Sequence, residues 1–159
     1  MDDQQKWRLE LQNSNVEIRA TAAENLCLAG SDSVAAAVDL VVACGDVEDV
    51  QNWAAAALED IGAPPVDSVD ALESLVSSSD PLVSYWAVTL LGRLGVDASR
   101  SQVILGMAVS DSPHPSVQER AAWALGKIGA TEVTVVELLK KAAASDSPRL
   151  ASLASRALA

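Results

Sequence analysis

A period of about 33 residues runs through this chain and constrains its fold more than any other feature, because a fixed period of that size marks stacked supersecondary units. Taking Ile18 as anchor, the equivalents are Val50, Val83, Val117 and Leu150, at spacings of 32, 33, 34 and 33 residues. Four positions after each anchor stands alanine: Ala22, Ala54, Ala87, Ala121 and Ala154. Eight positions after it stands leucine: Leu26, Leu58, Leu91, Leu125 and Leu158. At +7 come Asn25, Ala57, Leu90, Ala124 and Ala157, and at +11 come Ala29, Ile61, Leu94 and Ile128. Glycine closes each run at +12, as Gly30, Gly62, Gly95 and Gly129.

Offsets 0, 4, 7, 8 and 11 share one face of a 3.6-residue helix. Glycine just beyond the last apolar position fits a left-handed C′ residue. Each unit therefore opens with a first helix that ends at glycine, and the invariant +4 alanine predicts a helix crossing too close for anything larger than a methyl group. Second helices are expected at about 32–43, 67–77, 98–109 and 132–143, with Asp32, Asp67, Asp97 and Thr131 as N-caps. Turns ending in Pro81, Pro113 and Pro148 separate the units, and Ser116 with Glu119 matches a capping box. Residues 3–12 read as an extra helix carrying Trp7, Leu9 and Leu11.

Residues 117–129, Val117 to Gly129, resemble the first-helix signature of short bacterial HEAT-like repeats, the type also found in phycobilin lyase subunits. The resemblance spans residues 15–159 and implies an all-α fold, a right-handed α-α superhelix (a HEAT-like solenoid) of about 4.5 helix pairs. It implies one domain over 1–159, with residues 1–14 as an N-terminal capping segment and repeats starting near 15, 47, 80, 114 and 147. The Trp-Leu-Gly-Tyr pattern of tetratricopeptide repeats and the Thr-Pro-Leu-His pattern of ankyrin repeats are absent. For function, the resemblance permits a phycobilin lyase-like enzyme or enzyme subunit, but no catalytic residue carries over by motif.

Charge separates the halves. Residues 1–80 hold 16 acidic and 3 basic residues, and residues 81–159 hold 6 and 8. No Lys or Arg occurs from Ala20 to Gly92, against 12 Asp and Glu. A net charge of −11 argues against nucleic acid, including the basic groove a HEAT-like DNA glycosylase needs, and against anionic membrane surfaces. Helix-start positions account for several of these acids. An acidic face that steers a basic protein partner is the functional alternative.

Trp53 and Trp86 occupy the same +3 position in adjacent repeats, and Trp123 sits at +6 in the next. Packing between repeats explains this, as does an exposed aromatic ladder that anchors a peptide. His114, the only histidine, lies between Pro113 and Pro115 and reads as a loop residue. Three His and Cys residues scattered in sequence do not make a zinc site, there is no phosphate loop, and no catalytic residue, metal or cofactor is expected. Cys27 and Cys44 read as reduced structural cysteines, Cys27 at +9 on the outer side of its helix. The N-terminus shows no signal peptide, so a cytoplasmic protein is expected. The reading is a non-enzymatic protein-interaction scaffold that binds on the surface lined by second helices, with Asp39, Asp70, Glu73, Trp53 and Trp86 as candidate contacts. A monomer and weak head-to-tail self-association remain alternatives.

Overall fold

The computed structural model describes residues 1–159 and is helical throughout, with no strand. Two compact units divide it, Met1–Ser68 and Val69–Ala159.

In the first unit, α1 (Asp3–Glu10) packs on α2 (Val16–Leu28), and α2 packs on α4 (Glu48–Asp60). The short α3 (Ala37–Ala43) lies against α4 and is entered through a 3-10 helix, Gly30–Ala36. A second 3-10 turn, Val66–Ser68, ends the unit. Helix α1 has a capping box, with the Asp2 side chain accepting from the Gln5 N–H and Gln5 reaching back to Asp2.

In the second unit, α5 (Val69–Leu75), α7 (Gln102–Asp111) and α9 (Val133–Ala143) are second helices, and α6 (Pro81–Leu94), α8 (Pro115–Ile128) and α10 (Pro148–Leu158) are first helices. First helices pack on first helices, α6 on α8 and α8 on α10. Second helix α7 packs on α9, and α5–α6, α7–α8 and α9–α10 join the two layers.

The repeat pattern is the packing pattern. All five +4 alanines have no exposed surface. Four of the +8 leucines are likewise fully buried, but Leu158 is partly exposed, and the first anchor, Ile18, is also exposed, unlike the other four. Gly30, Gly62, Gly95 and Gly129 all have positive φ, and no other residue does. A Cβ at those positions would strain the backbone, so glycine is what allows each first helix to turn toward its partner.

The starts of the second helices differ from expectation. Asp32 and Asp97 lie in the first turn of 3-10 helices, Gly30–Ala36 and Gly95–Ser101, and Asp67 lies in the 3-10 turn before α5, so none caps an α-helix. At Gly30 and Gly95 the 3-10 helix begins at the positive-φ glycine itself, which leaves no chain for an extended cap residue before Asp32 or Asp97. Buried Ser33 makes a different bond, donating its hydroxyl to the Leu26 carbonyl in the last turn of α2 at 2.6 Å. Thr131 does not cap α9 either; its own N–H is bonded by Gln102 from the preceding repeat. The Ser116–Glu119 capping box does not form: His114 is the N-cap, without a side-chain bond, and Glu119 pairs with Arg149 at 3.3 Å. Pro81, Pro115 and Pro148 open their helices, while Pro113 stays in the loop. Asp80 caps α6, accepting from the N–H groups of Leu82 and Val83.

Candidate functional site

Several of the chain's scarce cations are spent on specific acids. In the first unit Asp39 on α3 is held by Arg8 at 2.6 Å, so this candidate contact is tied into an intramolecular ion pair. Trp53 on α4 is 36% exposed, beside the exposed Asn52.

In the second unit Asp70 and Glu73 lie three residues apart on α5 and both meet the 3-10 segment ahead of α7. Asp70 accepts from Arg100 at 2.6 Å while remaining 81% exposed, and Glu73 accepts from the Ser101 hydroxyl at 2.7 Å. The acids thus hold adjacent repeats together and still leave the Asp70 carboxylate in water.

Trp86 corrects the aromatic-ladder expectation. It is 3% exposed, meets Tyr85 edge-on at 5.7 Å, and has the Arg93 guanidinium 5.4 Å from its ring centre. Position +3 is turned inward on α6 because this helix is buried on nearly every side, and Trp86 is core rather than contact surface. Trp123 is half-buried and lies against Gly92.

Sequence reasoning missed the apolar ridge on α7. Val103 and Met107, one turn apart, are 49% and 53% exposed. Beside them a cleft of about 400 Å³ is lined by Val76, Ser84, Ile104, Met107, Asp111 and Pro113, among others. The Ser84 hydroxyl is engaged with the Val76 carbonyl, Ser77, Ser78, Ser79 and Ser112 also line the cleft, and the exposed Asp111 is its one charged lining residue. The signal was present: α7 has two apolar stripes, Leu105–Val109 for the core and Val103–Met107 in excess of what the core needs. Periodicity alone does not say which stripe is buried.

The remaining candidates are quiet. His114 sits at the start of α8. The Cys27 thiol has its pKa raised by burial, then by Asp60 and Glu24, and Cys44 is buried. No helix is long and apolar enough to cross a membrane.

Stacked helix pairs with a glycine-ended first helix define a helical-repeat protein. The chain matches the family model of HEAT repeats over residues 69–159 and belongs to that family. None of the curated proteins matches it. Among solved structures, an engineered protein superposes with a TM-score of 0.66 at 23% identity, over 99% of this chain and 78% of that one. A designed armadillo repeat protein in complex with the peptide (KR)4 superposes with a TM-score of 0.65 at 16% identity, over 98% and 80%. The complex of CpcE and CpcF of phycocyanin lyase from Nostoc sp. PCC7120 gives 0.62 at 23% identity; this chain is covered to 98% but spans only 63% of that one. At such identities the likeness is one of fold.

Proposed function

We propose that this chain is a non-enzymatic scaffold that binds a protein partner on the surface lined by the second helices α5, α7 and α9. The observation that carries the reading is the exposed Val103–Met107 ridge beside an apolar cleft, with Asp111 in the cleft lining and the exposed, Arg100-paired Asp70 carboxylate on α5. Apolar anchors ringed by charge are the composition of interaction hot spots, and carboxylates at the rim select a basic partner with apolar side chains. The (KR)4 complex of the designed armadillo protein supports the reading by likeness, since a helical repeat surface there holds a basic peptide.

The test is fluorescence anisotropy with a dye-labelled Lys/Arg peptide carrying leucines. Binding that weakens as salt rises, and again in Met107→Ser and Asp111→Lys, is expected. A lysine at Asp111 faces the α7 C-terminus, where the helix dipole favours it, so loss of binding would not reflect unfolding. Binding indifferent to salt and to both substitutions would sink the proposal. The rival reading, a phycobilin lyase-like enzyme or subunit, would show instead as a change in visible absorbance on adding a free bilin. Weak head-to-tail self-association fits the same charge distribution, because 13 acidic residues face 3 basic ones in the first unit against 9 and 8 in the second. Light scattering at low salt should then give a mass that rises with concentration, and a constant monomer mass excludes it.

A further inference from the structure

We propose that the solvent face of the first helices in the second unit is a separate docking surface, one that takes an acidic peptide segment bearing an apolar side chain. Helices α6, α8 and α10 carry five cations, Arg93, Arg120, Lys127, Arg149 and Arg156, and a single carboxylate, Glu119. Arg149 already holds that carboxylate. This excess occurs in a chain with 22 acidic and 11 basic residues, so it is the reverse of what composition alone would place there. In the first unit the corresponding helices, α2 and α4, carry six carboxylates and one arginine.

Geometry gathers two of these cations, Arg120 and Lys127, around one aromatic ring. Arg120, Trp123 and Lys127 follow at intervals of three and four on α8 and share a face. The Arg120 guanidinium lies 3.9 Å from the Trp123 ring centre and 5.3 Å from that of Tyr85, and its Nε donates to the Thr89 hydroxyl at 2.9 Å. Lys127 Nζ is 6.0 Å from the same Trp123 ring. A cleft of about 250 Å³ opens there between α8 and α10, walled by Trp123, Lys127, Leu153 and Arg156. Arg120, Lys127 and Arg156 pair with no carboxylate, whereas Arg8, Arg19 and Arg100 all do. An anionic segment supplies the missing partners, and its apolar side chain fills the cleft between Trp123 and Leu153.

The surface is independent of the α7 ridge, and one experiment keeps the two apart. A dye-labelled glutamate peptide with one central leucine is titrated with the full chain and followed by anisotropy. Saturable binding at low salt is expected, weaker as salt rises and when serine replaces the leucine. The double variant Lys127→Glu with Arg156→Glu should weaken it about tenfold, while Met107→Ser should leave it unchanged. Both reversed side chains are exposed, and an unchanged circular dichroism spectrum confirms the fold. Absence of binding at low salt, or equal binding by the reversed variant, overturns the proposal. Displacement of the peptide by a tighter-binding single-stranded oligonucleotide overturns it in favour of nucleic acid.

Discussion

The side-chain oxygen of Gln102 accepts the backbone N–H groups of both Thr131 and Glu132, at 2.8 and 3.1 Å, so the first residue of α7 caps the approach to α9 in the next repeat. An ordinary N-cap serves its own helix; here the cap is lent across a repeat boundary, which couples neighbours that a solenoid must hold in register. Gln102 is itself 5% exposed. Replacing it with leucine keeps the bulk and strands two donors, at a cost of about 1 kcal/mol. Urea denaturation reads this directly. A midpoint unchanged in Gln102→Leu would mean that water satisfies the two N–H groups equally well.

Close helix approach in the second unit makes a sharper case. A Cβ built on Gly92 would lie 2.5 Å from Trp123 Cζ3 and 3.0 Å from the Ala124 Cα. Glycine to alanine inside a helix ordinarily stabilises by up to about 1 kcal/mol. At this site Gly92→Ala should instead destabilise by about 1–3 kcal/mol, because backbone on α8 must move. Ala87→Leu and Ala121→Leu should cost a similar about 1–3 kcal/mol for the same reason. A stabilised Gly92→Ala variant would show that α6 and α8 have room to separate.

These two sites mark the line between what the repeat makes legible and what it hides. The anchor, +4, +8 and +12 positions follow from helix periodicity and chain reversal, which are local, and they correctly place Ala22 to Ala154 in the core and the four glycines at positive φ. Gln102, Gly92 and the Arg100 and Ser101 contacts with α5 depend on which repeat faces which at a given height. That information is non-local, and no offset within one repeat carries it. The inward turn of Trp86 fails for a related reason: the +3 flank is exposed on α4 at Trp53 but covered on α6, although both helices share one sequence pattern. On the candidate surface, acidic Asp70 and Glu73 were legible, whereas the Val103–Met107 ridge was not, since an apolar stripe looks the same whether it faces the core or the solvent.

Cys27 offers a test of the acidic first unit. Its thiol is pushed up first by burial and then by the charges of Asp60 and Glu24, both of which disfavour the thiolate. The thiolate is the nucleophile, so alkylation at neutral pH should run slower than for an unstructured cysteine. Asp60→Asn removes one of the opposing charges and should speed labelling of Cys27. Mass spectrometry after timed exposure to iodoacetamide separates this site from the buried Cys44. Equal rates in the two proteins would mean that burial alone governs the thiol.

The ion pair between Arg19 and Asp46 predicts how the first unit responds to acid. Arg19 grips the carboxylate with two bonds, Nε to Oδ2 at 2.6 Å and Nη2 to Oδ1 at 2.9 Å. The Val47 N–H adds a third at 2.7 Å, and Arg19 Nη1 ties the assembly to the Asn13 carbonyl at 2.8 Å. The Arg19 bond is the largest influence on Asp46 and lowers its pKa; partial burial opposes it, and the Val47 N–H and the arginine charge add to the lowering. A carboxyl depressed in the folded state takes up its proton later than in the unfolded chain as pH falls. Its stabilisation is therefore fully present above the unfolded value, near about 3.9, and is lost as pH drops toward the folded value. Asp46→Asn removes the contribution at every pH. The variant should denature at lower urea concentration than the parent at neutral pH, and the two midpoints should converge as pH falls below the ordinary carboxylate range. A gap that stays constant through that range would show that the pair holds the turn before α4 by shape rather than by charge.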